Sequence, residues 1–248
     1  MKTKSCHCPV CPAGGRTRRL LESAVLALLV VVEAPSGHAA PDPSAITAEL
    51  RVAALDIAGA YHTLWLRTGP GRKPLEVSLN IRTFSNPIAY QGSARAQFFA
   101  TPQAAEAADP APPPLIDTTL QPGGTLLVFV PVNDKDTYRI YPIRDQDFPY
   151  GSFNFANFSQ AEILVQAGDK TEPVRLRPTT HHVFRFKGDK RIVTVRVAAQ
   201  VPGSEPRLIR QTNFSAGPDW REVVFFFTAP DTGQITMRHL VDAKPARE

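Results

Sequence analysis

The sequence predicts an all-β protein: an antiparallel β-sandwich, arranged as two packed immunoglobulin-like sandwich modules. Three observations predict it. From Ala48 onward apolar residues recur with a period near two, in short runs rich in Val, Ile, Phe and Thr. The turn signals TGPGRK, NDKD, KGDK and PDTG separate those runs. Twenty-four prolines favour edges and turns over long helices.

The first forty residues differ from the rest. Lys2, Lys4, Arg16, Arg18 and Arg19 precede the apolar run AVLALLVVV at 24–32, and the small residues Gly37 and Ala39 follow. This is the layout of a secretory signal, so residues 1–39 are expected to be cleaved after Ala39 and the chain to be exported to the periplasm or outside the cell. The apolar run is shorter than the roughly 20 residues a spanning helix needs, so no stable membrane span is expected after cleavage. Thr17-Arg18-Arg19-Leu20-Leu21 also fits a twin-arginine signal loosely, which leaves the export route open.

Cleavage would change the chemistry. Cys6, Cys8 and Cys11, with His7 among them, have soft-metal spacing but lie upstream of the apolar run, so the exported chain would contain no cysteine. Disulfides and thiol catalysis are then excluded. Five of the 28 Lys/Arg and two of the 23 Asp/Glu lie in 1–39, so the net charge falls from +5 to about +2. That field is too weak to support nucleic acid as a partner.

Strands are expected at 49–57, 61–68, 74–84, 94–101, 125–132, 137–143, 151–158, 161–167, 172–178, 181–187, 191–199, 206–214, 221–228 and 234–241. The Ala- and Pro-rich segment 101–114 lacks large apolar side chains, so it reads as a surface loop or tether with a turn or two of helix at PQAAEAAD. RDQDFP at 144–149 is the best module boundary, which gives modules at 46–146 and 147–242 and a frayed tail at 243–248; a single large sandwich is the competing organisation.

Aromatic spacing raises a choice between core and ligand platform. In FPYGSFNFANFSQAEILV (148–165), Phe153 and Phe155 share one face, with Ser152, Asn154 and Ala156 on the other. That pattern reads as a half-buried strand, with Phe158 at a bulge or strand end. Val224, Phe225, Phe226 and Phe227 in succession read as a strand covered on both faces. A Phe-Ser step recurs at 84–85, 158–159 and 214–215; local turn chemistry explains it as well as a repeat would.

Several pieces carry a resemblance. SNPIAYQG (85–92) followed by Phe98-Phe99, PGGTLLVFVP (122–131), YRIYPI (138–143) and FPYGSFNFANFS (148–159) resemble exported bacterial β-rich proteins of unassigned function, over about 85–186. The resemblance implies a secreted β fold and supplies no activity, ligand or catalytic residue.

Catalytic signatures are sparse. No Gly-x-Ser-x-Gly elbow or glycine-rich phosphate loop occurs. His181 and His182 are adjacent, so a strand would point them to opposite faces and no shared metal is expected. Asp145 with Asp147, and Asp134 with Asp136, form acidic turns that read as solvated loops, because calcium wants six to eight oxygens. The expectation is no enzyme and no cofactor.

One charge pattern suggests binding. A hairpin over 183–198 would place Arg185 and Lys187 on one face, with Lys190, Arg191 and Arg196 nearby and Arg175 and Arg177 upstream. Such a face suits an anionic envelope polymer; a solvated outer sheet face is the plainer alternative. Trp65 and Trp220 are the candidates for sugar stacking. The expected role is binding or scaffolding in the cell envelope, with a protein partner or an envelope glycan; carbohydrate or anionic-polymer binding is the first alternative and a glycan-active enzyme the second.

Overall fold

The computed structural model describes residues 45–59, 61–69, 71–108, 112–132, 137–186, 191–200, 203–229 and 231–244. The expected signal peptide, its cysteines, Asp134, Asp136, Lys187 and Lys190 lie outside them. The described residues are nearly all β. The strands are β1 (Ala45–Ala54), β2 (Thr63–Leu66), β3 (Leu75–Ser78), β4 (Ile88–Ser93), β5 (Arg95–Phe99), β6 (Ile116–Thr119), β7 (Gly123–Pro131) and β8 (Tyr138–Arg144). A 3-10 turn at Asp145–Asp147 leads to β9 (Ser152–Asn157), β10 (Glu162–Ala167), β11 (Val174–Leu176), β12 (His181–Arg185), β13 (Arg191–Gln200), β14 (Arg207–Ala216), β15 (Trp220–Thr228) and β16 (Ile235–Ala243).

These strands form four sheets. Sheet I has the order β4-β1-β7-β8 and sheet II the order β3-β2-β5-β6. Sheet III runs β12-β9-β15-β16 and sheet IV β11-β10-β13-β14. Adding eight to each label of sheets I and II yields sheets III and IV, so the chain writes one strand topology twice. Pairing is antiparallel except between β1 and β7 and between β9 and β15, which run parallel at equivalent places. The antiparallel expectation therefore misses one pair in each half. The first strand of each half returns to the seventh through a long connection, and long connections permit parallel neighbours.

Three apolar clusters hold the sheets in the order II–I–III–IV. Leu50, Val52, Leu64, Phe98 and Phe129 fill the space between sheets II and I. Phe153, Phe155, Val195, Phe214 and Phe226 do so between III and IV. The third cluster joins the halves: Ala53, Leu126, Val128 and Ile143 of sheet I meet Ala156, Val223, Phe225 and Leu240 of sheet III. Sheets I and III are thus covered on both faces, which is why LLVFV and VVFFF read as unbroken apolar runs. Contacts across the join are reciprocal. Arg238 of β16 donates to the Leu55 carbonyl at 2.9 Å, just past β1, and Tyr141 of β8 packs edge-on against Phe158 at 5.5 Å, just past β9. Reciprocal contacts of this kind characterise two-fold packing.

Several expectations are refined here. Every residue of β9 is buried, so the strand is covered on both faces; Ser152, Asn154 and Ala156 face sheet I, not solvent. Phe158 lies past the strand end and stacks on Phe225 at 5.7 Å and Phe227 at 5.8 Å. The Phe-Ser steps fall between β3 and β4, after β9 and inside β14, so they do not mark equivalent positions of the doubled topology.

The first part of the segment expected to be a tether, 101–107, is pinned. Its helix α1 (Pro102–Glu106) starts at Thr101, whose hydroxyl accepts from the Ala104 N–H at 3.2 Å, and Ala105 is buried. Arg67 of the sequence after β2 donates to the Ala105 and Ala107 carbonyls at 2.9 and 2.7 Å and lies over the Phe99 ring at 4.9 Å. A guanidinium at a helix end satisfies carbonyls that the helix cannot.

Candidate functional site

The expected basic hairpin does not form. β12 belongs to sheet III and β13 to sheet IV, so the chain crosses between layers after Phe186. Arg185 pairs in register with Ser152 on one sheet, whereas Arg191 pairs with Ala216 on the other. Arg191 lies over the Phe186 ring at 5.3 Å, and Arg196 is taken up by Asp169 at 2.9 Å and Gln166 at 3.3 Å. Residue alternation in a single sequence cannot distinguish a hairpin from a crossing between sheets.

The tryptophans do not share a groove. Trp65 sits in β2 of sheet II between buried Leu64 and Leu66. Trp220 begins β15 of sheet III; its indole N–H donates to the Ser215 carbonyl at 2.6 Å, and its ring lies so close to Gly217 that a β-carbon there would come within 2.8 Å.

Arg175 and Arg177, by contrast, do come together, at the corner where sheets III and IV stay open. The loop Arg177-Pro178-Thr179-Thr180 joins the edge strands β11 and β12. Asn157 holds it from beneath. Its backbone N–H donates to Thr180 O at 2.9 Å and its carbonyl accepts from Thr179 N–H at 2.7 Å. Its side-chain amide donates to Ala161 O at 2.8 Å and Leu176 O at 2.9 Å, while Ser159 N–H donates to its oxygen at 2.9 Å. Asn157 and Ser159 are both buried. This anchoring sustains Thr179 at φ 66°, a conformation that costs a β-branched residue about 1–2 kcal/mol. Two shallow depressions flank β11. One, of about 430 Å³, is lined by Gln160, Glu162, Arg175, Arg177, Pro178 and Gln200. The other, of about 410 Å³, adds Thr180, His181 and His182 to the same two arginines. Arg175 pairs with Glu162 and donates to Gln200 at 3.1 Å. Among the described residues Arg177 has no carboxylate partner. Burial, and secondarily the neighbouring His181, pulls His182 below its usual pKa.

The free edge of sheet IV is the second exposed feature. β14 has ten residues, the longest edge strand described, and Arg207–Gln211 are exposed throughout. Leu208 and Ile209 are among the few large apolar side chains left in solvent. Ile209 is the extra residue of a bulge, since Val197 pairs with Arg210 and Ala198 with Leu208. The topologically equivalent β6 has only four residues.

The join between halves holds a buried ion cluster. Asp242 lies 2.5 Å from Arg51 and 2.7 Å from Arg221, and Arg221 also pairs with Asp145 at 2.5 Å. Arg221 lies over the Tyr150 ring at 4.5 Å, and the Tyr150 hydroxyl accepts from Arg51 at 2.9 Å. Burial pushes the Asp242 carboxyl up, against the opposing pull of Arg221 and Arg51. Elsewhere on the join, beside Phe158 and Phe225, burial pushes the Tyr141 hydroxyl up to about 12. Asp147 bonds Arg144 at 2.7 Å, so the acidic turn at 145–147 spends both carboxylates on arginines. Among the described residues no three His, Cys, Asp or Glu side chains converge as a metal-binding group. At the far end of the join, a cleft of about 500 Å³ lies between Leu55, Val130, Phe227 and Met237.

No family model matches the chain, and no curated protein matches it. Over 70% of its length it is similar to a solved leucine-rich repeat protein from Bacteroides thetaiotaomicron, at 8% identity and a TM-score of 0.16. The chain spans 25% of that protein's length, and a likeness this low carries no argument.

Proposed function

We propose that the protein is an exported, non-catalytic binding module of the cell envelope that captures a partner protein by strand addition at β14. The observation that supports this reading is the ten-residue free edge of β14, with Leu208 and Ile209 in solvent. An edge strand offers a row of unpaired backbone donors and acceptors to an incoming strand. The bulge at Ile209 interrupts that row, so the incoming strand pairs along the stretch from Arg210 onward. Charge selects the partner. Arg207 and Arg210 project at the edge, and β14 contains no acidic residue. A second copy of β14 would bring no carboxylate to these arginines, whereas an extended segment rich in acidic residues does. The doubled sandwich behind it serves as a rigid scaffold.

The test uses a peptide of ten alternating Val and Glu residues, with binding followed by fluorescence anisotropy. The wild-type chain binds it, and Arg207→Glu with Arg210→Glu weakens binding about tenfold or more. A peptide of alternating Val and Lys does not bind. Equal binding by the double variant would sink the reading. Export is tested separately: the intact mass of the native protein in an envelope fraction should match cleavage after Ala39, and an uncleaved cytoplasmic chain would contradict it.

A further inference from the structure

We infer that the corner between β11 and β12 is a second binding site, for a linear anionic glycan. The site is independent of the β14 edge and uses neither of its arginines. Two depressions run along either side of β11, and Arg175 and Arg177 line both of them. Residues two apart in extended chain are about 7 Å apart along the strand, so the two guanidiniums present successive positive charges to a chain lying across the edge. The two are held differently. Arg175 is fixed by Glu162 and Gln200, which makes it a positioned donor, whereas Arg177 has no carboxylate partner among the described residues and is available to a ligand.

The rest of the lining selects sugar over a densely charged polymer. Gln160 contributes an exposed amide, and the Thr180 hydroxyl, whose proton goes to the Arg177 carbonyl, still accepts. Glu162 places a carboxylate in the first depression, which accepts hydrogen bonds from sugar hydroxyls and repels closely spaced phosphates. A ligand with one carboxylate per sugar and several hydroxyls matches that mixture. The loop is also built to keep its shape: buried Asn157 accepts from the Thr179 N–H and donates to the Thr180 and Leu176 carbonyls, which holds Thr179 in a left-handed conformation. A site that is ordered before binding loses less entropy when the ligand arrives.

Calorimetric titration of the purified chain with a galacturonate oligomer tests the site. Wild-type chain binds the oligomer, and Arg177→Gln, which breaks no bond of the fold, weakens binding about tenfold. Arg139→Gln, which removes the same charge from β8 in the other half, leaves binding unchanged. Inorganic polyphosphate is the second probe and binds more weakly than the glycan. The inference is overturned if the oligomer does not bind, if Arg177→Gln binds as wild type, or if Arg139→Gln weakens binding equally. Tighter binding of polyphosphate than of the glycan overturns the ligand class. None of these results bears on peptide capture at β14, whose arginines are separate.

Discussion

Arg51 of β1 and Asp242 of β16 meet at 2.5 Å where Asp242 is fully shielded from solvent. The first strand of the first half is thereby tied to the last strand of the second. Arg51 also donates to the carbonyls of Ser85 and Ala243, at 3.2 and 3.3 Å, so its charge is dispersed over both halves. The ion cluster at one end of the join and the apolar contacts of Val128 and Phe225 along it make the two halves one compact unit.

Removing the shared carboxylate should be costly. Asp242→Ala leaves Arg51 and Arg221 buried beside each other without the charge between them. Breaking a buried ion pair from one side costs about 3–5 kcal/mol; Asp145 and Tyr150 remain as partners, so the lower end, about 3 kcal/mol, is expected. Urea unfolding measures it. A change below about 1 kcal/mol would mean that water reaches the cluster.

The pair His239–Glu222 gives stability a pH dependence. The hydrogen bond from Nδ1 to the Glu222 carboxylate, 3.2 Å long, raises the His239 pKa above its ordinary 6.5. A raised folded pKa means that the protonated form is favoured in the fold. Its contribution is full below pH 6.5 and is lost as pH rises through the higher folded value. His182 is shifted the other way, so its effect lies below pH 6.5: protonation there opposes folding, and the penalty is lifted as pH rises from its lowered folded value towards 6.5. The difference between wild type and Glu222→Gln isolates the pair: wild type gains on the variant as pH falls from 8 towards 6. Thermal melts across that range check it, and parallel curves would contradict it.

Arg67 should control the order of the proline-rich segment. Arg67→Met keeps the packing on Phe99 but removes the donors to the Ala105 and Ala107 carbonyls. Hydrogen bonds from a charged donor contribute about 1.5–3 kcal/mol, spent here on holding α1 against the sheet. Limited proteolysis should cut the variant within 101–108 faster than wild type while global unfolding changes little. Unaltered cleavage would show that Thr101 and Ala105 suffice to hold the helix.

Most strands were legible because their cores alternate. Two were not. In β4 the inward positions are Tyr90 and Gly92, and Gly92 is small because a β-carbon there would meet the Tyr90 hydroxyl at 2.7 Å and the Thr68 carbonyl at 2.9 Å. A glycine in an inward position erases the period-two signal. In β6, four residues after a run of prolines leave too short a pattern to recognise. Arg175 and Arg177 stood out by alternation, but their meeting with His181 and His182 depends on Asn157, whose role as a buried anchor has no signature in sequence.

The sequence by itself determined the β class, the strand spacing, the double coverage of β15 and the shortage of catalytic motifs, because these depend on local periodicity and composition. Tertiary structure decided the rest. It separated β12 from β13 into different sheets, repeated one topology in two halves, buried Ser152 and Asn154 at the join, and closed Arg51 on Asp242. The physical reason is that each of these depends on which sheet a strand enters and what covers its second face, and alternation along one strand is blind to both.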